Sequence, residues 1–303
     1  MHVVGVVCSL IVAGLAQPPE PLGPGSHLRT VTVGEVERSF RVHVPPKYDA
    51  AQPMPVVVCF HGAVTSGPII ALYTGLDKKA DEAGFIVAYP NGTGSNKLLL
   101  TWNSGGIPSA VPEAQRDDVG FTRALLDDLE RVLNVDKKRI FATGISNGGM
   151  MSHRLAVELS DRIAAVASVA GALALPNPKP KRRVPILEIH GDEDRLVPWN
   201  GLSLGQFMFR GVDKSIEFWV NHNHAAAKAT VEKLPDQTDD GTTSTRYTHA
   251  AGEMGAEVVL VKIQGGGHTW PGSKIDVQFL GRTPQDFTAN DMIWEFFQRH
   301  PLP

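Results

Sequence analysis

Short apolar runs bounded by turn residues recur along the chain: Val56 to Phe60, Phe85 to Tyr89, Ile140 to Thr143, Ala165 to Val169, Ile186 to Ile189 and Val258 to Val261. Their residues scarcely alternate with polar ones, which is how strands buried on both faces read. They predict a mostly parallel central sheet flanked by helices. Two earlier segments, Arg29 to Val33 and Ser39 to Val44, do alternate. With Gly34-Glu35 between them, they predict an antiparallel hairpin at a sheet edge. Helical spacing lies between the strands. Asp117 to Leu133 sets Val119, Leu125, Leu126, Leu129 and Val132 near a 3.6-residue period, and a helix from Gly148 carries Met151, Leu155 and Leu159. Ser215 to His222 and Asp286 to Arg299 complete the helices. The methionines read most simply as core packing. The polar stretch Asp236 to Thr245 is expected to be a surface loop.

The 303 residues show no internal repeat and no linker, so one domain with a sizeable core is expected. A net charge of −3 gives no general footprint for a polyanion, and no nucleic-acid partner is expected. Beyond the N-terminus no apolar stretch approaches the roughly 20 residues of a membrane span. The N-terminus itself runs apolar from Val3 to Leu15 and ends in Gly14-Leu15-Ala16, a small-x-small site. This predicts a signal peptide over 1–16, although its first residues carry only His2 and no Lys or Arg. A Pro/Gly-rich flexible leader over 17–28 and a single domain over 29–303 follow. A secreted or periplasmic location is expected. Once the signal and its Cys8 are removed, Cys59 is the only thiol, so no internal disulfide forms and Cys59 reads as a buried core residue.

G-x-S-x-G occurs twice, as Gly144-Ile145-Ser146-Asn147-Gly148 and as Gly201-Leu202-Ser203-Leu204-Gly205. The pattern has chemical meaning where a strand turns sharply into a helix and lifts the serine hydroxyl off the sheet. Ser146 has that context, whereas Ser203 follows the loop Val197 to Asn200. A serine hydroxyl needs a base, and the base needs an anion to hold its tautomer. His268 follows the strand Val258 to Val261 in a glycine-rich turn, where a sheet of this class presents its active-site loops. The pair His222-x-His224 lacks a nearby third ligand, so no metal is expected. For the acid, Asp192, Glu193 and Asp194 all follow the strand Ile186 to Ile189, and composition does not choose among them. Two backbone N–H groups should face the oxyanion: Asn147, after the nucleophile, and Ala63, in the loop after Val56 to Phe60. His61 reads as a brace for that loop. Trp102, Trp199 and Trp270 sit in loops where an indole ring could line a substrate pocket.

Phe60-His61-Gly62, Thr101-Trp102-Asn103, Asp117-Asp118-Val119-Gly120-Phe121, Gly144 to Met151, His190 to Asp194 with Val197-Pro198, and Gly267-His268-Thr269-Trp270-Pro271 occur in that order. From about Thr30 to Pro301 the chain resembles the secreted esterases that group polyhydroxybutyrate depolymerases with feruloyl and acetylxylan esterases. The resemblance implies an α/β-hydrolase fold, with Ser146 as nucleophile, His268 as base and Asp194 as acid. It departs at Ser104-Gly105-Gly106-Ile107, where many members carry cysteines.

The expected function is a serine carboxyl-ester hydrolase working through an acyl-enzyme, with no metal or organic cofactor. Its substrates would be feruloyl or acetyl polysaccharide esters or hydroxyalkanoate esters, free or polymeric, and the chain is expected to act as a monomer. Transfer of the acyl group to an alcohol, or non-catalytic surface binding on the same scaffold, are the competing readings. With only His300 to Pro303 beyond the last helix, soluble esters are expected to be attacked faster than crystalline polyester.

Overall fold

The structure, a computed structural model, describes residues 20–303 except 95, 97, 98, 109–111, 113–115, 206 and 254. The signal-peptide reading over 1–16 therefore lies outside the described residues, as do 17–19 of the leader. The elements in chain order are β1 (Gly25–Val33), β2 (Val36–Val44), β3 (Met54–Phe60), α1 (Gly67–Thr74), α2 (Leu76–Ala83), β4 (Ile86–Pro90), β5 (Thr93–Gly94), β6 (Leu100–Thr101) and α3 (Asp118–Val132). They continue with β7 (Val135–Ile145), α4 (Asn147–Glu158), β8 (Ala165–Val169), β9 (Ile186–Gly191), β10 (Gly201–Leu204), β11 (Phe207–Arg210) and α5 (Val212–Asn223). The last are β12 (Thr230–Lys233), β13 (Thr243–His249), β14 (Val258–Gln264) and α6 (Ala289–Gln298).

Ten strands form one sheet in the order β1-β2-β4-β3-β7-β8-β9-β14-β13-β12. The six central strands, β4 to β14 in that order, are mutually parallel. Antiparallel pairs close both edges: β1 with β2, and β12 with β13. The predicted unbroken apolar runs are the six parallel strands, and their burial on both faces is the reason. Along β3, Val56, Val58 and Phe60 pack on one face with Phe121 and Leu125 of α3 and Leu155 of α4. Val57 and Cys59 pack on the other with Ile70 of α1, Leu76 of α2 and Phe297 of α6. Cys59 is a free thiol in this core, and burial pushes its pKa up.

Local signals fix the helix starts. Asp117 caps α3 by accepting the Gly120 N–H at 2.8 Å, and Thr288 caps α6 by accepting the Asp291 N–H at 3.1 Å. Three boundaries differ from the sequence reading. β1 begins at Gly25, inside the expected leader, because its backbone pairs along the whole of β2. The expected loop Asp236 to Thr245 ends early, since Thr243 already pairs with Gln264 in β13. The segment from Gly67 to Ala83, unassigned from the sequence, forms α1 and α2. Among the described residues no helix is long and apolar enough to cross a membrane.

The connections set where a site can form. From β3 the chain crosses to β4 on one side, and from β7 it crosses to β8 on the other. The carboxyl ends of these two neighbouring strands therefore flank a switch point, the crevice where open α/β sheets hold ligands.

Candidate active site

Ser146 stands between β7 and α4 with φ 59° and ψ −124°, a strained conformation for a residue with a side chain. The turn is as tight as it is because its glycines leave room. A methyl group at Gly148 would lie 2.2 Å from the Phe60 carbonyl oxygen, and one at Gly144 would lie 2.5 Å from the same atom. Ser146 N–H donates to Val169 O at 2.9 Å, tying the turn to the end of β8. Gly62 lies beside it, its missing Cβ position 3.5 Å from Ser146 Cβ, so the loop carrying Ala63 borders the serine. The Asn147 N–H sits in the first turn of α4, where backbone donors have no partner within the helix.

The loops after β9 and β14 meet through a set of hydrogen bonds. Asp194 Oδ2 accepts from His268 Nδ1 at 2.7 Å, and both side chains are buried. Asp194 Oδ1 accepts the backbone N–H groups of Leu196 and Val197, each at 2.8 Å, so one oxygen is committed to its own loop and the other faces the imidazole. His268 is fixed in turn by its N–H donating to Leu280 O. Of the three carboxylates, Asp194 is the one on His268. Asp192 instead accepts the Gly265 N–H and pairs with Lys262, and Glu193 pairs with Arg282 at the surface.

His61 braces the loop after β3. Its Nδ1–H donates to Gly62 O at 2.7 Å and its Nε2 accepts the Gly92 N–H at 3.0 Å. Burial lowers its pKa to about 4, against an ordinary value near 6.5, with the positive charge of Arg38 adding to the effect. A histidine held neutral in the fold costs stability only in acid. Above about pH 6.5 both states are neutral, and as pH falls toward 4 the unfolded chain gains a proton that the fold refuses, at up to about 3 kcal/mol. Melting temperatures at pH 7 and near 4.5 should therefore fall less steeply for His61→Asn than for the wild type. Parallel losses in the two proteins would remove His61 as the cause.

The tryptophans divide. Trp102 and Trp270 are 1% exposed, and their indole N–H groups donate to His61 O and Asn290 Oδ1. They pack beneath the loops and offer no ring face to a substrate, which corrects the expectation for these two. Trp199 is half-buried and lines a cleft of about 940 Å³ with Asn200, Asp192 and Lys262. A second cleft, of about 730 Å³, holds His268, Leu196 and Phe279, and Glu193, Gly265 and Arg282 line both. Ser104 is fully buried and accepts from Asn147 Nδ2 at 3.0 Å. The Asn147 side chain also exchanges hydrogen bonds with the Trp102 backbone, so amide contacts hold this loop on the serine turn. His222 and His224 contact Arg182 O and Arg183, and among the described residues no group of three His, Cys, Asp or Glu side chains is placed to hold a metal.

Residues 49–232, more than half of the chain, match the family described as phospholipase/carboxylesterase. The chain belongs to this family. "Putative esterase NocK" of Nocardia uniformis subsp. tsuyamanensis is 32% identical over 284 residues, covering 88% of the chain and 81% of the relative. "Feruloyl esterase B" of Piromyces equi is 30% identical over 80% of the chain, which spans 45% of that relative's length. In structure the chain is similar to an acetyl xylan esterase from Aspergillus awamori, with TM-score 0.60 at 15% identity over 90% of this chain and 99% of the other. The fold is that of the α/β-hydrolases, and this member of the phospholipase/carboxylesterase family is a carboxylic ester hydrolase similar to feruloyl and acetylxylan esterases.

Two features of the site were not read from the sequence: the side chain of Asn147, and a buried polar chain of His153, Glu188 and His190. Glu188 carried a signal. A glutamate inside Ile186-Leu187-Glu188-Ile189, a run buried on both faces, requires a buried partner.

Proposed function

We propose that this esterase is an exported serine hydrolase acting on feruloyl or acetyl esters of polysaccharides. The observation that carries the catalytic part is the His268–Asp194 hydrogen bond past the carboxyl ends of β9 and β14, the same end of the parallel strands at which β7 bears the Ser146 turn. Ser146 Oγ attacks the ester carbonyl and His268 Nε2 takes its proton. Asp194 holds His268 with hydrogen on Nδ1, which leaves Nε2 free to act as base. The N–H groups of Asn147 and Ala63 receive the oxyanion. His268 then returns the proton to the departing alcohol, and water activated by the same histidine releases the acid.

The substrate part is supported by the feruloyl and acetylxylan esterases among the relatives and by the character of the cleft at Trp199, which shares Glu193, Gly265 and Arg282 with the cleft that holds His268. Its lining of carboxylates, amides, threonines and one indole suits sugar hydroxyls and ring faces. The test is a hydrolysis panel of soluble aryl esters, feruloylated xylan, acetylated xylan and polyhydroxybutyrate film. Release of ferulate or acetate from xylan at rates well above film clearing is expected. Rapid film clearing with no release from xylan would overturn the substrate assignment.

A further inference from the structure

Glu188 and His190 lie on one face of β9 and are each 1% exposed. Charged groups so deep in a core are costly unless every polar atom is partnered. His190 Nδ1 stands 3.1 Å from both Gly171 O and Glu188 Oε1, and its Nε2 stands 2.9 Å from Val197 O and 3.4 Å from Asp194 Oδ2. A carbonyl oxygen can only accept, and each ring nitrogen faces one, so both nitrogens carry hydrogen. On its other side Glu188 Oε2 accepts from His153 Nε2 at 3.0 Å, and His153 Nδ1 accepts from the Trp219 indole N–H at 3.1 Å. The indole only donates, which fixes hydrogen on His153 Nε2 and leaves Glu188 as acceptor to both histidines.

We propose that His190 is a lasting imidazolium and a positioning residue of the active site, holding Asp194 aimed at His268 while Glu188 offsets its charge. The proposal rests on the catalytic reading above. Burial alone would push the His190 pKa down, but the hydrogen bond and charge of Glu188, with the charge of Asp194, outweigh it and raise the pKa. Two carboxylates and one imidazolium leave one net negative charge in the cluster, which the proton arriving on His268 during attack neutralises. Without Glu188 the His190 cation would oppose that proton. The remaining titratable and charged neighbours are His153, reached across Glu188, and the pair of Lys262 on β14 with Asp192 just after β9, Lys262 being the register partner of His190.

Two measurements test this. In enzyme labelled with 15N-histidine, one ring, assigned through its contact with Val197, should show both nitrogens protonated from about pH 5.5 to about 8.5. This measurement depends neither on catalysis nor on any variant folding. In the pH profile of kcat/KM on a soluble aryl ester, the acid limb reports His268. Removing the cation in His190→Gln should move that limb up by about one pH unit, with kcat lowered and KM nearly unchanged. Glu188→Gln/His190→Gln, which removes both charges, should bring the limb back toward the wild-type position, a reversal that lost packing would not produce. A His190 ring that loses a proton in that range, a limb unmoved in His190→Gln, or a double variant as displaced as the single one overturns the proposal. Failure of the catalytic reading is distinguishable, because His268→Ala would then keep both its turnover and its acid limb.

Discussion

Ser146→Ala is expected to lower kcat by about 10⁶ while leaving the fold intact, and Ser203→Ala to leave turnover nearly unchanged. The two serines share a sequence pattern but not a backbone. Ser146 occupies a left-handed turn between a buried strand and a helix, with the loop after β3 at its side. Ser203 lies exposed within the hairpin strand β10, paired with Met208, where nothing lifts its hydroxyl toward a base. On the proposed mechanism, removing the Ser146 hydroxyl takes away the nucleophile and its covalent intermediate together, which is why the loss should approach that of the whole triad. Steady-state turnover and labelling by a fluorophosphonate measure it. A dead Ser203 variant beside an active Ser146 variant would reverse the assignment.

The parts of the fold that could be read in advance are those where burial acts on both faces of an element. Val56 to Phe60 is apolar throughout, and Ala165 to Val169 is so but for Ser168, because helices cover both sides of the sheet. The strands β12 and β13 escaped because they are largely exposed or half-exposed: Thr-Val-Glu-Lys and Thr-Ser-Thr-Arg-Tyr-Thr-His carry no clean alternation, and they form by successive pairing, β13 on β14 and β12 on β13. α1 escaped for a different reason. Its eight residues are mostly apolar and too short to show a 3.6-residue period.

The site divides along similar lines. Ser146 and His268 each follow a strand and sit in a glycine-rich turn, so local sequence marks them. The proposed acid could not be chosen that way, and only the family resemblance pointed to Asp194, because Asp192, Glu193 and Asp194 differ only in where a three-residue turn sends each side chain. That is set by Asp194 capping its own loop at Leu196 and Val197, a contact with no sequence signature. The tryptophans show the opposite error. A large ring in a loop looks available, yet Trp102 and Trp270 have their N–H groups satisfied inside the protein and serve as the floor of the loops.

Asp194→Asn is expected to lower kcat by about 10⁴, against small effects for Asp192→Asn and Glu193→Gln. The size follows from which way the amide must point. Two backbone N–H groups, of Leu196 and Val197, demand an acceptor on the inner side of residue 194, so the amide oxygen stays there. The NH2 group is then forced toward His268 Nδ1, which can meet it only by accepting. That moves the histidine hydrogen to Nε2, the atom that must be bare to take the proton of Ser146, and the base is lost without any change in position. Asp192 and Glu193 do not touch the imidazole. Their pairs with Lys262 and Arg282 lie in partly or largely exposed places, where an ion pair contributes about 0–1 kcal/mol. Activity measured alongside thermal stability separates the cases. Equal losses in all three variants, with the fold unchanged, would mean that the loop acts as a unit and that Asp194 has no special hold on His268.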